Sequence, residues 1–148
     1  MGNRLTPRGH VLRVDGDAPD ARLATNLRDI THWARRGSMV KAERDRWLWL
    51  LKQQAAAIVR FTRPVDVAFK VRFGPHPFTG RTPRLDPDAL AAVCKTVLDV
   101  LTDGHAGPHS WDGLGLFHVD SQAGVGVVSF EVDATPVEPY LEIVLEEG

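Results

Sequence analysis

The chain has a single cysteine, a single basic side chain beyond position 84, and no long apolar run in its 148 residues. Each scarcity excludes something. One cysteine, Cys94, cannot form an internal disulfide framework, and its place inside a helical pattern suits a small buried apolar residue in a reducing compartment. No stretch approaches the roughly 18 consecutive apolar residues of a membrane-spanning helix. The opening MGNRLTPRGHVLRV lacks the apolar core of a secretion signal. A soluble cytoplasmic protein with no membrane partner is the expectation. No repeat or low-complexity segment appears, and the length suits one domain, 1–148, with one sizeable core.

The scarcity of basic residues is local. Positions 1–84 hold 17 Lys/Arg against 7 Asp/Glu, a net charge of +10, whereas positions 85–148 hold Lys95 alone against 12 Asp/Glu, a net charge of −11. Two readings follow. In one, a basic surface for a polyanion lies beside an acidic cluster able to hold a metal. In the other, the two halves neutralise each other across one fold.

Hydropathy patterning predicts the elements. HVLRVDG reads as a short strand, and residues 17–38 as a long ordered loop. A helix is predicted from about Val40 to Val59, with Ser38 as N-cap and Trp47, Leu50, Leu51, Ala55 and Ile58 as its apolar stripe. Residues 64–73 alternate Val65, Val67, Phe69, Val71 and Phe73 with Asp66, Ala68, Lys70 and Arg72, the mark of a half-buried strand. A second helix is predicted from Pro87 to about Leu101, with Asp86 as N-cap and Pro87 at the first helical position, where its missing N–H costs nothing. A glycine-rich excursion over 102–124 precedes two strands, VGVVSFEVD and YLEIVLEE. The order β-α-β-α-β-β implies an α/β (α+β) domain with a mixed sheet and two helices.

The second helix carries the most chemistry. At about 100° per residue, Asp88, Lys95 and Asp99 fall within about 40° of one another, opposite Leu90, Val93, Val97 and Leu101. Asp86 stands at the N-terminal mouth. Two carboxylates after a strand and loop suit Mg²⁺, which takes hard oxygen ligands and keeps waters for phosphate chemistry, and a nearby lysine can hold a phosphate. An ordinary cap explains Asp86 alone equally well, the helix dipole favours Asp88 in a first turn, and a solvated face explains the stripe. Trp47 and Trp49 cannot share a helix face, so one is assigned to the core and the other to a dimer contact. Trp33 and Trp111 are candidates for base stacking or for capping a core edge. His105 and His109 bracket AGP without the further ligands a zinc site needs.

RLDPDALAAVCKTVLDVL resembles the signature of RusA-type Holliday junction resolvases, in a version common in actinobacterial phages. There an arginine-rich approach leads into Asp-x-Asp-Asn-Leu, then a lysine and an aspartate four residues beyond it. NLRDITHWARRGSMVKAERDRW is similar to the family's loop entering its first helix, and with the order of elements the resemblance covers about residues 10–146. It implies a RusA-like fold and a homodimeric Mg²⁺-dependent endonuclease, Mn²⁺ being a substitute, that resolves four-way DNA junctions by paired nicks in recombination and repair, in a bacterial cytoplasm from a phage or prophage gene. Carried over, the metal aspartates are Asp86, Asp88 and Asp120, the essential lysine is Lys95, and Asp99 matches the aspartate that follows. Asp112 is an alternative to Asp120. Arg28, His32, Arg35, Arg36, Lys41, Arg81 and Arg84 are the implied DNA contacts. Three departures stand out: Ala89 replaces the Asn, Val119 replaces the first aspartate of an Asp-Asp pair, and the 102–119 loop is longer. Two other functions follow from them or from the aspartates alone, a non-catalytic relative that binds DNA or a host protein and a different metal-dependent nuclease.

Overall fold

In the computed structural model the described residues are 9–24, 33–75, 78–107, 110–118, 124–135 and 137–147. Strand β1 (Gly9–Asp15) is followed by a 3₁₀ turn (Ala21–Ala24), helix α1 (Trp33–Ala56), strand β2 (Val65–Arg72), helix α2 (Pro87–Leu101), the short strands β3 (Gly104–His105) and β4 (Trp111–Asp112), and strands β5 (Val125–Val132) and β6 (Tyr140–Glu147). The four long strands form one mixed sheet in the order β1-β6-β2-β5. β6 runs antiparallel to both β1 and β2, while β5 runs parallel to β2. The α+β class with two helices and a mixed sheet is as the hydropathy pattern predicts.

Alternation sets which face of the sheet is covered. Val65, Val67, Phe69 and Val71 of β2 and Leu141, Ile143 and Leu145 of β6 are buried beneath the helices, and Phe69 stacks on Phe130 of β5 with centroids 5.6 Å apart. Their neighbours Asp66, Lys70, Glu142 and Glu146 point to the other face, giving the one-sided pattern of a sheet packed on a single helical layer. α1 packs against β1, α2 against β5, and the helices against each other.

α1 departs from the sequence reading at both ends. It starts at Trp33, so part of the expected loop 17–38 is helical and Ser38 lies inside the helix rather than capping it. Gly37 and Ser38 are weak helix formers, but Met39 and Val40 pack against the core, and tertiary burial overrides propensity. α1 ends at Ala56, short of Val59, where N–H groups of Ala57 and Ile58 turn back to Gln54 and Ala55. Trp47 is fully buried whereas Trp49 is 76% exposed, so the two tryptophans divide as their spacing requires. The remainder of the expected loop holds a 3₁₀ turn. It is tied to α1 by buried Glu43, which accepts from the Trp47 indole (3.0 Å) and the Asp20 backbone (3.0 Å) and pairs with Arg46 (2.7 Å).

α2 begins and ends as its signals predict. Asp86 Oδ1 accepts from the Ala89 N–H at 2.8 Å, and the Asp86 carbonyl accepts from Leu90. Thr102 closes the other end, its N–H and hydroxyl both donating to the Asp99 carbonyl. The excursion after α2 is less open than its glycines suggest. β3 and β4 pair as a two-stranded ribbon, and Leu116 and Phe117 return to the core. Gly113 allows this closure, because a side chain there would overlap the Thr102 carbonyl. No helix among the described residues is long and apolar enough to cross a membrane.

Candidate functional site

Asp86 and Asp88 sit together at the N-terminal mouth of α2, both exposed. The cap bond occupies one oxygen of Asp86 and leaves the other oxygen and the Asp88 carboxylate open to solvent. The loop entering the helix forms one wall of an open cleft of about 970 Å³, lined by Arg81, Thr82, Pro83, Arg84 and Leu85 and closed on the far side by Val132 and Ala134. The register explains this. β2 and β5 run parallel, so their C-terminal ends lie side by side, and the connection from β2 to α2 crosses above them. Carboxylates and guanidinium groups thus share one edge of the molecule, where parallel strands commonly present binding sites. Among the described residues Arg81 and Arg84 meet no carboxylate.

The stripe along α2 divides. Asp88 and Lys95 are exposed, but Asp99 is drawn under its neighbours, with its side chain only 13% exposed. Lys95 Nζ lies 3.2 Å from Asp99 Oδ1 and so reaches toward the C-terminus of the helix, away from Asp88. Arg44 of α1 approaches the same carboxylate, with Nε 3.9 Å from Asp99 Oδ2, and its guanidinium lies 4.3 Å above the Trp111 ring. The Trp111 indole N–H donates to the Asp99 carbonyl at 3.4 Å, and His105 stacks on the same ring at 5.0 Å. Trp111 therefore caps a core edge, and His105 packs on it; His109 lies outside the described residues.

The chain on either side of residues 119–123 lies at the other end of α2. Thr102 bridges Phe117, His118 Nδ1 is 3.3 Å from Asp103 Oδ2, and Val65 donates to the Gly124 carbonyl. α2, with 15 residues, is about 22 Å long. Asp120 itself lies outside the described residues, as do Arg28 and His32. Arg35 and Arg36 fall on the first turns of α1, where only the backbone is described. Lys41 is exposed and pairs with Asp45 at 3.0 Å, and Asp112 is exposed on the β3–β4 ribbon. Among the described residues no three His, Cys, Asp or Glu side chains converge as a metal cage.

Searched against models of known protein families, the chain matches none, and no curated protein matches it. The resemblance to junction resolvases therefore rests on the order and spacing of the sequence motifs alone.

The donor set fits Mg²⁺ in the manner this ion prefers, since it is commonly held by one or two carboxylates with waters and phosphate oxygens completing an octahedron. Asp86 and Asp88 offer hard oxygens only. Sequence reasoning passed over Arg44 and Glu43, yet both left a signal. They stand three and four residues before Trp47 on the buried stripe of α1, and a charged side chain on an apolar face requires a partner.

Proposed function

We propose that the chain is a Mg²⁺-dependent endodeoxyribonuclease that acts as a homodimer on branched DNA, four-way junctions above all, in recombination or repair. The observation that carries this reading is the junction of two exposed aspartates with a two-arginine cleft at the mouth of α2. Carboxylates repel a phosphodiester and arginines attract it. The two coexist productively when a divalent cation lies between acid and phosphate. When bound, that cation supplies an activated water and charge neutralisation at the scissile group. Asp86 and Asp88 hold it, Mn²⁺ serving in place of Mg²⁺. Arg81 and Arg84 grip the flanking backbone without reading sequence. Lys95 contacts the scissile phosphate once it turns from Asp99 toward the N-terminal end.

The test is cleavage of a synthetic four-way junction beside linear duplex and flap substrates, with and without Mg²⁺. Paired nicks in the junction alone are expected, with Asp88→Asn abolishing them while junction binding persists, because the amide keeps the shape and loses the charge. Wild-type cleavage by Asp88→Asn would remove Asp88 from the site. Light scattering should give a dimer at micromolar concentration.

A second reading is a DNA-binding protein of the same fold that no longer cuts. The engagement of Lys95 by Asp99, together with Ala89 and Val119 in place of polar family residues, favours it. Tight, salt-sensitive junction binding with no Mg²⁺-dependent cleavage is its signature.

A further inference from the structure

We propose that the cleft before α2 takes one unstacked nucleotide of a DNA strand, its base lying between Leu85 and Val132 and its phosphate on Arg81 and Arg84. That the nucleotide belongs to DNA rests on the nuclease reading above; the slot for its base does not.

The walls of the cleft are of two kinds. Arg81 and Arg84 are exposed at its rim, while Thr82, Pro83 and Leu85 are half-buried. Leu85 rests on the core, and Thr82 precedes a proline, which restricts it to extended backbone, so the near wall is aliphatic and firmly seated. Across the cleft stand Val132 and Ala134. Val132 continues the row of Val128 and Phe130, which pack on the core, yet it is itself 36% exposed. The acid between these two residues faces elsewhere. Asp133 accepts from the Thr135 N–H at 3.0 Å, the Arg72 guanidinium at 2.9 Å and the Tyr140 hydroxyl at 2.9 Å, and Arg72 and Tyr140 pair on the opposite face of the sheet. The far wall is therefore aliphatic although an aspartate stands in the middle of it.

A phosphate alone has no use for such walls. Cations hold it, whereas opposed apolar side chains suit a flat ring, as they do where a base is taken out of its stack. The opening of about 970 Å³ lies at the upper end of the range of small-molecule sites, roughly 300–1,000 Å³, and accommodates the base, sugar and phosphate of one nucleotide. Asp86 follows Leu85 directly, so a nucleotide seated here continues into the phosphodiester at the carboxylates. Unstacking costs least where pairing is already broken, so the slot favours a branch point over a continuous duplex.

Titration of the whole protein without divalent cation, followed by methyl NMR of Leu85 and Val132, reads the slot apart from any cleavage. A deoxynucleoside 5′-monophosphate should shift both methyl signals and bind about tenfold more tightly than inorganic phosphate, because stacking adds to the charge contact. Inorganic phosphate should leave the methyl signals in place. Val132→Ser, a change at an exposed position that leaves the core intact, should weaken the nucleotide about threefold and phosphate not at all. Equal affinity for the two ligands overturns the slot. So do methyl signals that move with protein concentration and not with nucleotide, which would mark the cleft as an interface between copies. In a junction carrying 2-aminopurine beside the crossover, fluorescence should rise on binding to wild type and rise less with Val132→Ser at the same bound fraction. A wild type that takes the nucleotide but cleaves no junction overturns the nuclease reading and leaves the slot standing. One that cleaves with no preference for nucleotide over phosphate and no rise in fluorescence overturns the slot alone.

Discussion

Glu43 is costly to disturb. It is 7% exposed, and its two oxygens serve the Trp47 indole, the Asp20 backbone and the Arg46 guanidinium, whose other contacts are Asp17 and the Ala18 carbonyl. Glu43→Ala strands three donors at once, one of them within the core. A loss of about 3 kcal/mol is expected, at the lower end for a broken buried pair because Arg46 is partly solvated. Urea unfolding of the variant against wild type measures it, and a loss below about 1 kcal/mol would mean that water replaces these bonds. Cys94 is the opposite case. Burial pushes its thiol up to about 12, so it stays protonated and acts as a small apolar side chain, the role its place in the helical pattern implies.

At the scale of elements, Asp86 has two separable jobs. As N-cap it accepts from Ala89, a bond worth about 1 kcal/mol to α2. As proposed metal ligand it contributes charge. Asp86→Asn keeps an oxygen for the cap and removes the charge, so stability should stay near wild type while Mg²⁺-dependent cleavage disappears. Asp86→Ala should lose both. Thermal unfolding and the junction assay on the two variants separate the roles, and equal cleavage by Asp86→Asn and wild type would leave Asp86 a cap only. This end of α2 was legible because the cap, Pro87 and the apolar spacing of Leu90, Val93 and Val97 all agree. The start of α1 was not, since Gly37 and Ser38 imitate a boundary that core contacts of Met39 and Val40 override. Nor was the β3–β4 ribbon, whose two-residue strands are too short to show a period and depend on close backbone approach at Gly104 and Gly113. The Asp88–Lys95–Asp99 stripe followed from helix geometry alone. That Asp99 turns inward did not, because its partners Arg44 and Trp111 come from distant parts of the chain.

For the whole molecule, part of the charge asymmetry is neutralised across the fold. Arg13 pairs with Glu142, Arg44 with Asp99, Arg60 with Asp103 and Arg72 with Asp133, so part of the basic half is spent on the acidic half. Among the described residues Arg81 and Arg84 meet no carboxylate. If they grip DNA, replacing both with alanine should lower the slope of log affinity against log salt by about two on duplex arms; an unchanged slope would take them out of the interface. One cross-half pair also sets an acid limit. The Thr135 backbone N–H, the Arg72 guanidinium and the Tyr140 hydroxyl, all donating to Asp133, hold its carboxyl well below the usual carboxylate range. The folded value is depressed, so this contribution is complete above the unfolded value of about 3.9 and is lost as pH falls through the folded one. Denaturation midpoints from pH 7 down to pH 2 should therefore fall less steeply at the acid end for Asp133→Asn than for wild type.

β6 lies between β1 and β2, pairing Gly9 with Glu146 on one side and Val65 with Glu147 on the other. β6 is thus the strand that joins β1 to β2, which do not pair with each other, and the sheet closes in a long-range step of the kind that slows folding and exposes strands to aggregation. Without β6 seated there is no trimmed version of this sheet, only β1 apart from the β2–β5 pair.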